Sequence, residues 1–243
     1  MNAWGVDDAL LFDYVLDTVE DNFPSLNIIL TTNNHPPFDV DVWKKGFPLH
    51  KVPDEILPLW EGNTDLKTLG HVWYTDKCIG DFVDVMEEKV PLPLFVITGD
   101  HYGRRFINSR PTFFEKSTVP LVLYGRDVLD GISLPDGAAG SHIDIIPTLI
   151  ELTAPEGFSY HALGNDLLAP HQDFIGIGKG IIITSDFILD LSQGPTFHPL
   201  PTKELPPELP CTKKLKRLHD ALHGISWWRI KNGPDLPVGS VHK

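Results

Sequence analysis

The sequence predicts an α/β fold, and three observations carry that prediction. Residues 26–32 (L-N-I-I-L-T-T) and 94–98 (L-F-V-I-T) are short, apolar and β-branched, too hydrophobic for strands with one wet face. Residues 119–124 (V-P-L-V-L-Y) have the same character. Between the first two blocks, residues 66–86 keep a helical period long enough for a crossover connection. Strand, long helix, strand is the pattern of a mostly parallel sheet flanked by helices.

The elements follow in order. Residues 8–22 read as a helix, with Leu10, Leu11, Tyr14, Val15 and Phe23 at three-to-four spacing and Pro24 as its stop. After the first strand, N-N-H-P-P-F-D is a loop whose two prolines enforce extended backbone. Residues 43–63 are irregular, punctuated by Pro48, Pro53 and Pro58. The helix at 66–86 presents Val72, Thr75, Ile79, Phe82, Val83 and Met86 on one face, and Pro91 and Pro93 end it. Pro120 suits a strand beginning or an edge. At 140–152, Ser141 and Asp144 have capping-box spacing, and Pro147 is placed in a first helical turn. Residues 181–184 and 187–191 read as a hairpin around Ser185-Asp186. Prolines dominate 194–210, read as a surface linker, and the basic run 213–219 as a short amphipathic helix. The expected division is a main α/β unit over 1–192 and a Pro-rich linker with a helical tail over 193–243.

Composition narrows the function. The formal net charge is -13 and the sequence pI about 5.1, which disfavours nucleic acid as a partner and general attraction to an anionic membrane. The same balance suits a protein that holds a cation. Two widely spaced cysteines, Cys78 and Cys211, make neither a disulfide framework nor a zinc knuckle. Cys78, inside a helical pattern, reads as a small core residue. No apolar run reaches the roughly 18 residues that span a bilayer, and the N-terminus lacks the pattern of a signal peptide. Nothing in these residues assigns a location.

Chemistry concentrates at strand ends, where open α/β sheets place their ligands. Gly99-Asp100-His101 closes the second apolar block, and His35 follows the first. A carboxylate with an imidazole is a mixed donor set suited to zinc, manganese or iron. The tripeptide alone is equally consistent with a capping Asp and a solvated His. His35 is a candidate anion donor or general acid, against an ordinary loop histidine. Arg104 and Arg105 suit a phosphate or sulfate group, against a solvated pair. His142 and Asp144 lie near the same rim, although a capped helix start explains them better.

Taken together and in order, T-T-N-N-H-P-P-F, Y-T-D-K-C-I-G-D-F, V-I-T-G-D-H-Y-G-R-R, V-P-L-V-L-Y-G and S-H-I-D-I-I-P-T-L resemble the sulfatase-like phosphoglycerol transferases and lipoteichoic acid synthases of the alkaline phosphatase superfamily. The resemblance runs from W-G-V-D-D to about residue 152, and more loosely to the end. It implies the C-terminal part of an alkaline-phosphatase-like sheet. It implies that Asp100 and His101 ligate a divalent ion (manganese, magnesium or zinc) and that His35 contacts substrate, as the catalytic acid at the leaving oxygen or simply as a binder of the anion. Arg105 is the matching anion-binding candidate. The implied substrate is a phosphate or sulfate ester, and the implied setting is the periplasmic or extracellular face of a bacterial membrane.

The resemblance also brings a discrepancy. Family members carry their nucleophilic threonine, or a modified cysteine in true sulfatases, ahead of the segment that begins here at residue 4. Neither cysteine lies in a C-x-P-x-R context. The expectation is a partial enzyme with an incomplete metal site and no nucleophile, inactive alone, and relying on a missing N-terminal half or a homodimer to cover its strand edges. Two alternatives remain: an inactive remnant that binds a ligand or partner, and part of a formylglycine sulfatase.

Overall fold

In a computed structural model, the structure describes residues 5–19, 24–103, 105, 107–169 and 175–233. The chain groups into two compact units, Met1–Asp130 and Gly131–Lys243.

The first unit is built on two helices. Helix α1 (Asp8–Thr18) begins where Asp7 accepts the N–H of Ala9 at 3.0 Å. Its expected extension to 22 falls partly outside the described residues. Helix α2 (Leu66–Lys89) is capped by Asp65, which accepts the Thr68 N–H at 2.6 Å. Tyr74, Cys78, Phe82 and Met86 recur every four residues and form its buried face. Phe12 of α1 stacks on Phe82 with ring centroids 4.6 Å apart, and Val42 and Phe47 complete the cluster. Cys78 is a buried free thiol, as expected. Val72, expected on the inner face, is exposed. Two residues before Tyr74, it lies roughly 200° around the helix from it.

The sheet in this unit differs from expectation. Strands β1 (Phe95–Thr98) and β2 (Leu121–Tyr124) pair antiparallel, Phe95 opposite Tyr124 and Thr98 opposite Leu121. The connection between them holds the five-residue helix α3 (Phe113–Ser117), not the long packed helix of a parallel crossover. Residues 26–32 form no strand. Leu26, Ile28 and Leu30 are exposed, while Ile29 between the last two packs on the α1/α2 cluster. Only residues 28–30 show the outward–inward alternation of a strand.

The second unit contains helix α4 (His142–Thr153), strands β3 (Ile175–Gly178), β4 (Ile181–Thr184), β5 (Phe187–Asp190) and β6 (Thr196–Pro199), and helix α5 (Thr212–Asn232). The four strands form an antiparallel meander in chain order. Every strand pair among the described residues is therefore antiparallel, and the predicted mostly parallel arrangement is corrected accordingly; the α/β class stands. The β4–β5 hairpin matches the sequence reading. The Pro-rich stretch contributes β6, and Pro199 fits because β6 is an edge strand. Helix α5 runs 21 residues, well beyond the short helix expected. Leu215 packs it against Ile182, Phe187 and Leu189.

Helix α4 starts with the anticipated cap. Asp144 accepts the Ser141 N–H at 2.7 Å, and its other oxygen takes the Asn165 N–H at 2.8 Å. Pro147 is the sixth residue of the helix, beyond the first turn expected for it. It offers no N–H to the Ile143 carbonyl. Gly164 lies against that carbonyl, so closely that any side chain at 164 would strike it.

Candidate metal and anion site

Asp100 and His101 follow β1 directly, and the turn after Gly99 brings their side chains to one side. Asp100 Oδ2 lies 3.8 Å from His101 Nε2, and Asp100 Oδ1 accepts the His101 backbone N–H at 2.9 Å. His101 Nδ1 is 2.7 Å from the Tyr102 carbonyl. A carbonyl only accepts, so Nδ1 carries the proton and Nε2 presents a lone pair toward the carboxylate side. Metal-ligating histidines use this arrangement, with one ring nitrogen donating to a carbonyl and the other free to ligate. Both side chains are at least half exposed. Among the described residues no group of three or more His, Cys, Asp or Glu could hold an ion. The donors fit a divalent metal as two of its ligands.

Arg105 is placed by α2 and by the loop of His35. Its Nη1 donates to Thr68 Oγ1 at 3.2 Å and lies 3.8 Å from Asp65 Oδ2. The guanidinium sits 5.2 Å from the centroid of Phe38. Phe38 belongs to N-N-H-P-P-F and meets His71 of α2 edge-on at 5.3 Å. Arg104 lies outside the described residues.

The His35 loop is built from short turns. His35 N–H donates to the Thr32 carbonyl at 3.2 Å, and the Pro36-Pro37 bond is cis. His35 Nδ1 is 2.7 Å from the Pro36 carbonyl, so it too donates and leaves Nε2 as the basic nitrogen. Below the loop, Asn33 Nδ2 and His71 Nε2 are buried without hydrogen-bond partners among the described residues. His71 Nδ1 donates to the Lys67 carbonyl at 2.8 Å, which makes Nε2 an acceptor.

The family model described as Sulfatase matches residues 1–155. The chain belongs to the sulfatase family. It is 23% identical over 207 residues to "Lipoteichoic acid synthase-like YvgJ" of Bacillus subtilis (strain 168), covering 76% of this chain and 32% of that protein. It also superimposes on the crystal structure of the lipoteichoic acid synthase LtaP from Listeria monocytogenes, with a TM-score of 0.57 and 18% identity, over 84% of this chain and 53% of that one. The second likeness speaks for fold alone. The chain spans about a third of the length of the curated relative it matches.

Several residues around the candidate site were not singled out from the sequence. Asp8 is fully buried and ties α1, α2 and the His35 loop together. Asp65 and Thr68 hold Arg105 from the start of α2, and Phe38 gives it a platform. A capping reading of Asp65 three residues before Thr68 was available from spacing. The 37-residue separation between Thr68 and Arg105 was not. His142 and Asp144, the weaker rim candidates, start α4, where the Asp144 carboxylate is spent on backbone N–H groups.

Proposed function

We propose that this chain is the metal- and anion-holding part of a sulfatase-superfamily hydrolase or phosphoglycerol transferase that acts on phosphate or sulfate esters. The observation that carries the reading is the 3.8 Å approach of Asp100 Oδ2 and His101 Nε2, with the imidazole tautomer set by Tyr102. Asp100 and His101 would hold a divalent ion, which when bound supplies Lewis-acid stabilisation of charge on the transferred group. Arg105 offers a planar guanidinium to the ester's anionic oxygens. With Nδ1 donating to Pro36, His35 acts through Nε2, which delivers a proton to the leaving oxygen once it has taken one up, or binds the anion in that protonated form. This reading assigns no nucleophile among the described residues, and turnover by this chain alone is not expected.

A second reading is favoured by one observation. Arg105 is already engaged by Asp65, Thr68 and Phe38, which suits a brace in a ligand- or partner-binding remnant. A formylglycine reaction is not supported by either cysteine, since Cys78 is buried within α2 and Cys211 immediately precedes α5.

Thermal melting with manganese separates the readings. At about ten times Kd a bound ion stabilises the folded state by about 1.4 kcal/mol, a rise of a few degrees for a chain of this size. The expected result is such a rise in the wild type and none in Asp100→Ala. An identical response in both proteins overturns the metal assignment. Hydrolysis of bis(p-nitrophenyl) phosphate or p-nitrophenyl sulfate is expected to be absent. Clear turnover that Asp100→Ala abolishes overturns that expectation.

A further inference from the structure

The overall charge conceals a local reversal. Helix α5 (Thr212–Asn232) carries six cations against the single carboxylate of Asp220, a net charge of +5 within a chain of -13. Asp220 is held by Lys216 at 2.6 Å. Lys213, Lys214 and Arg217 have no acidic partner among the described residues.

The helix is docked by one side only. Leu215 enters the sheet cluster, His219 Nε2 accepts the Gly180 N–H at 3.1 Å, and His223 reaches the Gly178 carbonyl. Beyond these contacts its last two turns read I-S-W-W-R-I-K-N. Trp227 is 62% exposed and Ile230 76%, and Ile225 and Trp228 are exposed as well. Lys231 lies 5.2 Å from the Trp227 ring centroid. Neighbouring positions diverge by roughly 100° around a helix, so these four side chains make that end apolar on nearly every side. Water does not suit such an end, and it is interleaved with cations.

We infer that α5 is a peripheral docking element for an anionic bilayer surface. Charge complementarity selects the occupant. A second copy meeting this one α5 to α5 would set two +5 surfaces against each other, and an apolar protein groove would bury the cations without counter-charges. Anionic headgroups pair with the lysines and arginine while leaving them hydrated, and the tryptophans settle at the headgroup level. The acidic remainder of the chain is repelled by the same surface, so the protein approaches with α5 foremost. No helix of the described residues is long and apolar enough to cross a membrane, so the element lies on the surface.

The test is flotation of the full chain with vesicles of equimolar phosphatidylglycerol and phosphatidylcholine, or of phosphatidylcholine alone. Trp227→Ser/Trp228→Ser and Lys213→Glu/Lys214→Glu/Arg217→Glu are compared with wild type. All five side chains are on α5, which buries no residue fully, and circular dichroism with a thermal melt checks that each variant folds. Wild type is expected to float with the anionic vesicles only, and each variant to lose at least tenfold in apparent affinity. Binding is expected to fall with added salt, as screening requires, and to be unchanged in Asp100→Ala, which separates this inference from the catalytic reading. Wild type that fails to float, or variants that float as well as wild type, overturn it. So does a tryptophan variant whose only change is reduced self-association on size-exclusion chromatography.

Discussion

The carboxylate of Asp8 accepts the backbone N–H of Asn33 at 3.1 Å, across 25 residues of chain. The same oxygen accepts the Thr32 N–H at 2.8 Å, and the other takes the Thr75 hydroxyl at 3.0 Å. One buried side chain thereby joins the start of α1, the body of α2 and the loop that bears His35. Asp8→Ala leaves one buried and one half-buried amide and a hydroxyl without that acceptor, at an expected cost of about 3 kcal/mol. Asp8→Asn keeps the volume but turns an NH2 toward donors on one side, and a smaller loss is expected. Urea unfolding measures both. A loss under about 0.5 kcal/mol for Asp8→Ala, the range of ordinary surface changes, would show that the loop is held by other means.

Arg105 tests whether a side chain engaged at rest also binds substrate. Its pair with Asp65 is largely exposed and contributes about 0–1 kcal/mol. Its place over Phe38 adds about 0.5–1 kcal/mol. Arg105→Ala should therefore lower the melting temperature by only a few degrees, yet abolish any stabilisation by inorganic sulfate. Arg105→Lys should restore stability better than the sulfate response, because an ammonium lacks the planar fork. If sulfate protects wild type and Arg105→Ala equally, Arg105 is a brace and the anion binds elsewhere.

What the sequence disclosed follows from the range of the interactions. Helices α2 and α4 and the β4–β5 hairpin were legible because periodicity, caps and a tight turn act over a few residues. The Asp100-His101 pair was legible because its members are adjacent. Sheet direction was not, because a long connector permits either sense and only packing decides it. The segment at 26–32 has strand composition, but composition cannot supply the neighbour that a ladder needs. Strand β6 was hidden by prolines that an edge strand tolerates. Asp8 and the Arg105 platform depend on contacts 24 to 67 residues apart in sequence, which no local pattern encodes.

Acid stability should depend on Asp7. Partial burial pushes its carboxyl up, but the hydrogen bonds from Tyr74 and Lys45, the Ala9 N–H and the Lys45 charge outweigh that and hold it below the usual range. Asp65 is lowered too, first by its hydrogen bonds to the Thr68 side chain and N–H. A carboxylate with a depressed folded pKa contributes stability that is complete above its unfolded value, about 3.9, and lost as pH falls through the folded value. Stability should thus decline below about pH 4, and Asp7→Asn should be destabilised near neutrality while showing a shallower acid slope. Urea midpoints across that window give the answer; parallel slopes in the two proteins would remove Asp7 from the account.

The exposed face of residues 26–32 predicts association. Ile28 is 87% exposed, with Leu26 and Leu30 exposed two residues to either side, so residues 26–30, which lie in no strand among the described residues, offer backbone along with apolar side chains. Two such segments can pair with each other, or with a strand from outside these residues, and bury that surface at about 25 cal/mol per Å². Size-exclusion chromatography of wild type should show elution that shifts to larger size with concentration. Ile28→Lys should abolish the shift, because a charge repels its counterpart in a second copy, and should leave the melting temperature nearly unchanged, because the side chain packs against little in the unit that bears it. A wild type that stays monomeric at every concentration would mean that the segment is satisfied within a single chain.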